Sequence, residues 1–177
     1  AILSAPLLEE YLGVRFHPGE APRVLGLAAH EITDAKLPLA DVWTHRDLTR
    51  NLARARTLRD LLSTLDAALL ARPLAAPDHR VRRVLATLRT TETRIDELAR
   101  RESLGERQLL RLFDHHVGAS PKTIARVFRL ERALALTTPT PRWSDIAVAT
   151  GYADQPHIIR EFQSLTGLTP TQLLHER

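Results

Sequence analysis

The chain has 177 residues, 44% of them hydrophobic and 26% charged, with a net charge of +4 and a pI near 10.3. That is the make-up of one large or two small globular domains with ample material for a core. It contains no Cys, which excludes disulfides, thiolate metal sites and cysteine nucleophiles. No apolar run reaches membrane-spanning length and the first residues lack the charged segment of a signal peptide, so no membrane partner is expected and a reducing cytoplasm fits. The chain starts at Ala and has no Met, which leads us to expect a front end that lies outside this sequence.

Aromatic residues are scarce, at 5%, while Leu, Ala and Arg abound, favouring helices over sheets. Residues 11–16 alternate roughly with period 2 and run into His17-Pro18-Gly19, which predicts a strand entering a turn. A lone strand needs partners from elsewhere. Short helical stretches are predicted around 23–30 and 39–43. Leu58, Leu61, Leu62, Leu65 and Leu69 then recur at spacings of three and four, predicting an amphipathic helix over 57–71. Its stripe is suited to the chain's own core, with dimerisation as the alternative. Arg72-Pro73-Leu74-Ala75-Ala76-Pro77 breaks the helix, and a domain boundary is expected there, between 1–75 and 76–177.

Seven helices are predicted beyond the break. Asp78 caps the first, which carries Val81, Val84, Leu85 and Leu88. Thr93, with Asp96 and Glu97 in the first turn, opens the second. The third begins at Gly105, turns Leu109, Leu112 and Phe113 inward and ends at Gly118. Pro121, after Ser120, starts the long fourth helix, which runs to about 136 and stops at Thr137-Thr138-Pro139-Thr140-Pro141. Ser144 and Asp145 open the fifth, which ends at Gly151. Asp154 caps the sixth, with Ile158, Phe162 and Leu165 inward and Gly167 closing it. Thr169-Pro170 starts the last.

This half of the chain repeats itself. Leu109-Leu110-Arg111-Leu112-Phe113 is answered by Ile158-Ile159-Arg160-Glu161-Phe162, and Gly118 and Pro121 are answered at the same offset by Gly167 and Pro170. Glu97-Leu98-Ala99 is answered by Asp145-Ile146-Ala147 at an offset one shorter. Helix, tight turn, helix, with a small residue (Ala99, Ala147) where the two cross, is the helix-turn-helix plan. Each second helix turns an Arg outward beside an apolar residue: Arg107, Leu110 and Arg111 in one copy; Pro156, Ile159, Arg160 and Gln163 in the other, with His157 flanking. An Arg can grip guanine O6 and N7, and an apolar neighbour can meet a thymine methyl. A protein with two such faces suits a long, negative, periodic partner, and double-stranded DNA fits.

The plainer readings are that Leu110 and Ile159 pack on neighbouring helices and that Arg111 pairs with Glu106 or Asp114. Of 25 basic residues only Lys36 and Lys122 are lysine, which codon usage explains as well as nucleic-acid binding does. Among the histidines, His115, His116 and His157 lack the partners of a metal site. No Gly-rich phosphate loop or nucleophile elbow occurs, so no catalytic residue, metal or cofactor is expected. The rival function class is a helical protein–protein interaction module, anchored by Leu110 and Ile159, that does not bind DNA.

The segment 95–173 resembles the DNA-binding domain of AraC/XylS-type transcription regulators. The resemblance is carried by Glu97-Leu98-Ala99, Arg111-Leu112-Phe113, Gly118-x-Ser120-Pro121, Arg129-x-x-Arg132-Ala133, Asp145-Ile146-Ala147, Gly151-Tyr152-Ala153-Asp154-Gln155-x-His157, Arg160-x-Phe162 and Gly167-Leu168-Thr169-Pro170. Residues 13–19 and 37–43 are similar to the tail of the N-terminal domain of some of these regulators.

The resemblance implies a mainly α fold: a seven-helix double helix-turn-helix domain preceded by a partial N-terminal domain with little strand. It implies sequence-specific transcription regulation, with two recognition helices (about 105–116 and 154–165) in successive major grooves and a long helix joining the two units. The expected base readers are Arg107, Leu110 and Arg111, then Gln155, His157 and Arg160. Lys122, Thr123, Thr169 and Thr171, near helix starts, are expected at phosphates. Further implied partners are a small-molecule effector at the N-terminal domain, a second copy in a homodimer, and RNA polymerase. Two residues depart from the pattern: Gly105 stands where a Ser or Thr cap is usual, and Pro156 replaces a small polar residue.

Overall fold

The computed structural model describes residues 13–43, 46–91, 93–138 and 141–175. Five short or medium helices come first: α1 (Ala21–Leu25), α2 (Ala29–Ile32), α3 (Leu39–Val42), α4 (Arg46–Arg54) and α5 (Leu58–Leu70). Seven follow: α6 (His79–Thr90), α7 (Ile95–Arg101), α8 (Glu106–Val117), α9 (Pro121–Ala135), α10 (Trp143–Ala149), α11 (Gln155–Thr166) and α12 (Pro170–His175). The mainly α fold and the seven-helix C-terminal half are as the sequence implies.

The expected strand is not there. Residues 13–17 form neither strand nor helix, while Tyr11 and Leu12 lie outside the described residues, as do Pro139 and Thr140 of the later helix break. Among the described residues there is no strand with which 13–16 could pair, and an unpaired strand leaves its backbone groups without partners. The stretch expected over 23–30 is two helices, because Gly26 turns left-handed at φ 75° and ends α1. Helix α4 has no counterpart among the expected elements.

Several boundaries have visible causes. The Thr57 hydroxyl accepts the Asp60 N–H at 3.1 Å and the Asp60 carboxylate accepts the Thr57 N–H at 3.0 Å, a reciprocal capping box that opens α5. Asp78 accepts the N–H groups of Arg80 and Val81 at the start of α6. Helix α7, by contrast, begins one residue later than the Thr93 expectation: Arg94 is its N-cap and supplies no side-chain bond. Helix α10 likewise starts at Trp143, behind Arg142, before the expected Ser144.

The chain forms two compact units that interleave in sequence. One gathers residues 15–86 and 93–121 and holds α1–α5, α7 and α8. The other gathers 87–92 and 122–177 and holds α10–α12 with nearly all of α9. In the first, Val81, Val84, Leu98, Ala99, Leu109 and Phe113 are buried, and α8 packs against α7, α2 and α1. Within the same unit α5 packs on α4 but buries no residue completely, and Leu58 and Leu62 of its stripe remain exposed. In the second unit Leu130, Ala133, Ile146, Ala147, Tyr152, Ile158 and Phe162 form one core.

Candidate nucleic-acid interface

Each unit contains one helix-turn-helix, and the two turns are built alike. After α7, the Leu104 N–H reaches back to the Ala99 carbonyl at 2.9 Å; after α10, the Tyr152 N–H reaches the Ala147 carbonyl, also at 2.9 Å. In both, the residue before that donor takes the left-handed conformation, Ser103 at φ 56° and Gly151 at φ 78°. Ala99 and Ala147 are buried at 2% and 0% exposure, so a larger side chain there would push the following helix away. The small residue picked out in each copy therefore stands at the crossing.

The second helices start differently. At α11 the Asp154 carboxylate accepts the His157 N–H at 2.7 Å, and Pro156 falls in the first turn, where its missing N–H costs nothing. At α8 the N-cap is Gly105, which has no side chain to offer. Gln108 compensates from the other side: its Oε1 accepts the Gly105 N–H at 2.9 Å. Both helices end at a left-handed glycine, Gly118 at φ 73° and Gly167 at φ 76°.

On α8, Arg107, Leu110 and Arg111 are all exposed and share the outward side, opposite the fully buried Leu109 and Phe113. Leu110, at 44% exposure, borders a shallow depression with Arg111 and Asp114. Neither arginine forms an ion pair or side-chain hydrogen bond among the described residues. The carboxylates that could have claimed Arg111 do not: Asp114 faces His30 Nδ1 at 3.3 Å.

On α11, Gln155 and Arg160 are exposed and Arg160 has no side-chain partner among the described residues. Its neighbour Glu161 is turned inward to a two-pronged pair with Arg126 of α9, at 2.8 and 3.1 Å, and Arg126 also donates to the Ser164 hydroxyl. The Arg126 guanidinium holds the Glu161 carboxyl below its ordinary value, so the pair stays ionised. The pair is not among the residues picked out from the sequence. A Glu beside the outward Arg, where the other copy has Leu112, was the available signal.

His157 is half-buried and partly committed. Its Nδ1 accepts the Ala153 N–H at 3.3 Å, and its ring meets Tyr152 edge-on at 5.2 Å. The Tyr152 hydroxyl is buried without a partner, and burial pushes its pKa up to about 12. Ile159 differs from expectation: it is half-buried and packs against the core of its unit with Leu165 and Trp143, so it is not the counterpart of the open Leu110.

The expected phosphate residues are dispersed over two helix starts. Lys122 is exposed in the first turn of α9, and Thr123 beside it is half-buried. Thr169 caps α12: its N–H and hydroxyl both donate to Gln172 Oε1, at 2.9 and 2.8 Å, bonds that a phosphate would have to replace. Thr171 is exposed. His116 titrates below its ordinary value because burial disfavours its cation and His115 lies beside it, in keeping with a packed imidazole.

Two tightly turned helix pairs, each presenting on the outer side of its second helix an arginine with no side-chain partner among the described residues, define a DNA-binding protein of the helix-turn-helix class, the class of transcription regulators. Comparison with known proteins agrees. Residues 98–176 match the family profile described as a helix-turn-helix domain. A solved structure of a probable AraC family transcriptional regulator from Rhodopseudomonas palustris is similar over 56% of this chain and 97% of its own, at 24% identity and a TM-score of 0.47. No curated protein gives a significant match to the chain. No helix of the described residues is long and apolar enough to cross a membrane.

Proposed function

We propose that the chain regulates transcription by laying α8 and α11 in successive major grooves of one duplex, about 34 Å apart. Arg107, Leu110 and Arg111 read one half of the operator; Gln155, His157 and Arg160 read the other. Lys122 and Thr123 at the start of α9, with Thr169 and Thr171 at the start of α12, meet phosphates and set the register. The observation that carries the reading is the pair Arg111 and Arg160. They stand at equivalent places in the repeat, both exposed and both without a side-chain partner among the described residues, where a structural arginine would have found a carboxylate. Residues 1–75 belong in this reading to a regulatory region, where a small-molecule effector acts and a second copy docks. RNA polymerase is the target of the bound protein.

Selection of binding sites from random duplexes, followed by fluorescence anisotropy across a salt series, tests the proposal. Log affinity should fall linearly with log salt, with a slope near −0.9 for each phosphate neutralised, roughly. Arg160→Ala should cost about 1–3 kcal/mol on the selected site and relax the preference at one base pair. A loss equal on every sequence would demote Arg160 to a phosphate anchor. Failure of the intact chain to prefer any duplex over random DNA would end the reading.

A further inference from the structure

A cavity of about 460 Å³ lies between α4 and α5, away from both helix-turn-helix pairs in sequence and within one compact unit. That is room for a compact organic molecule of about ten heavy atoms. The cavity exists because α5 turns Ala67, Ala68 and Ala71 toward it, leaving space that larger residues would fill, while Trp43 and Leu48 give it an apolar wall. Both are buried, at 6% and 4% exposure.

The polar feature of the wall is Arg72. Its guanidinium lies over the Trp43 ring, 4.4 Å from the centroid, and its Nη2 donates to the Leu25 carbonyl at 3.1 Å. Its other amino nitrogen, Nη1, is buried with no acceptor among the described residues. A buried guanidinium N–H left unmet is costly, and the plane of the group is already fixed by the ring beneath it. Asp47, the acidic residue on the same wall, is no remedy: it is exposed and faces Arg50 at 3.7 Å. Asn51 and Thr64 add neutral donors to the wall.

We infer that this cavity binds a small organic carboxylate, its apolar body against Trp43, Ala67 and Ala68 and its carboxylate on the guanidinium side of the wall at Arg72. A charge-assisted bond from a pre-oriented guanidinium to an anion is the strong member of its class, and the cation of Arg72 in a largely apolar wall favours a carboxylate over a neutral molecule. The inference deepens the effector part of the proposed function, giving it a place and a chemical class.

The test is isothermal titration calorimetry on the full chain, without DNA, using 3-phenylpropionate and its uncharged counterpart 3-phenylpropionamide. The acid should bind at least about tenfold more tightly than the amide, the margin a charge-assisted bond supplies. Arg72→Gln should abolish that preference. Ala68→Leu, which fills the cavity and keeps the guanidinium, should abolish binding of both compounds and decides the matter should the Arg72 variant fold poorly. Equal affinity for acid and amide, no heat from either, or unchanged binding by Ala68→Leu would overturn the site. Adding the operator duplex separates the two levels: acid binding that leaves duplex affinity unaltered supports the site and removes its role in regulation.

Discussion

The repeat contains its own control for the docking of α2 on α8. Gly118 and Gly167 end α8 and α11 in the same left-handed geometry, at φ 73° and 76°, but their surroundings differ. A Cβ at Gly167 would meet nothing within 4 Å. At Gly118 it would collide with Thr33 Oγ1 and stand 3.1 Å from the Ala29 carbonyl oxygen of α2. In Gly167→Ala, the left-handed conformation costs about 1–2 kcal/mol, and the stiffer unfolded chain returns about 0.4–1. The net loss is about 1 kcal/mol. Gly118→Ala suffers the same and must also swing Thr33 away, breaking its bonds to the Ala29 and Gly118 carbonyls at 2.8 and 3.2 Å. Two modest hydrogen bonds and a crowded backbone carbonyl add about 1–2 kcal/mol. Urea unfolding at constant m should therefore place Gly118→Ala clearly below Gly167→Ala. Adding Thr33→Ala should recover part of the difference through a measurable coupling. Equal losses at the two glycines would refute the claim that α2 seats on the end of α8.

The two turns invite an exchange of residues. Ser103→Gly should stabilise by about 0.5–1 kcal/mol, the left-handed strain relieved less the entropy of a freer unfolded chain, while Gly151→Ser should lose a similar amount; shifts of the same sign in urea midpoint would dismiss the equivalence of the turns. Asp78 is held down to about 2 from an ordinary 3.8, first by the hydrogen bond from Arg80 and then by backbone N–H groups. A depressed carboxylate adds stability above its unfolded value and loses it as pH falls through the folded one. The advantage of the native chain over Asp78→Asn should thus be full at pH 6 and vanish between about pH 4 and pH 2, followed by urea midpoint. A gap that stays constant over that range would exclude Asp78 as its source.

Much of the C-terminal half was legible because its signals are local. Asp78 and Asp154 are caps whose oxygens reach N–H groups two or three residues on, and Gly118 and Gly167 end helices by a backbone conformation that favours glycine. What was not legible depends on neighbours distant in sequence. The alternation at 11–16 suits a strand only when another strand lies alongside, and none does among the described residues. Helix α4 has just Leu48, Leu52 and Ala53 as apolar residues amid Arg, Asp, Asn and Thr, too thin a stripe to announce a helix; Leu48 is nonetheless buried.

Leu110 and Ile159 make the same point within the repeat. Each follows its fully buried partner, Leu109 or Ile158, by one residue, hence by about 100° around the helix. That angle falls at the edge of the apolar stripe, where the side of the line a residue takes depends on which helix lies beside it. Trp143 and Leu165 sit against the same core as Ile159, whereas Leu110 is left open.

Helices α8 and α11 therefore share an outward arginine but not the means of holding it. The hold on α11 begins with a charged cap at Asp154 and continues through Glu161, half-buried and paired with Arg126, one residue from Arg160. The hold on α8 begins with a glycine, secured only by Gln108 reaching back. Its firmest grip is at the far end, where Thr33 and His30 meet Gly118 and Asp114. A side chain selects among bases only as well as its backbone is fixed, because each freedom it retains must be surrendered on binding. Arg160 extends from a helix clamped beside it. Arg107 extends from the first turn of α8, the part farthest from that helix's anchor, whereas Arg111 lies closer to the anchored end. On the proposed reading, the first half of the repeat suits tolerant reading at Arg107 and stricter reading at Arg111, and whatever strengthens the contact of α2 with α8 sharpens the latter first.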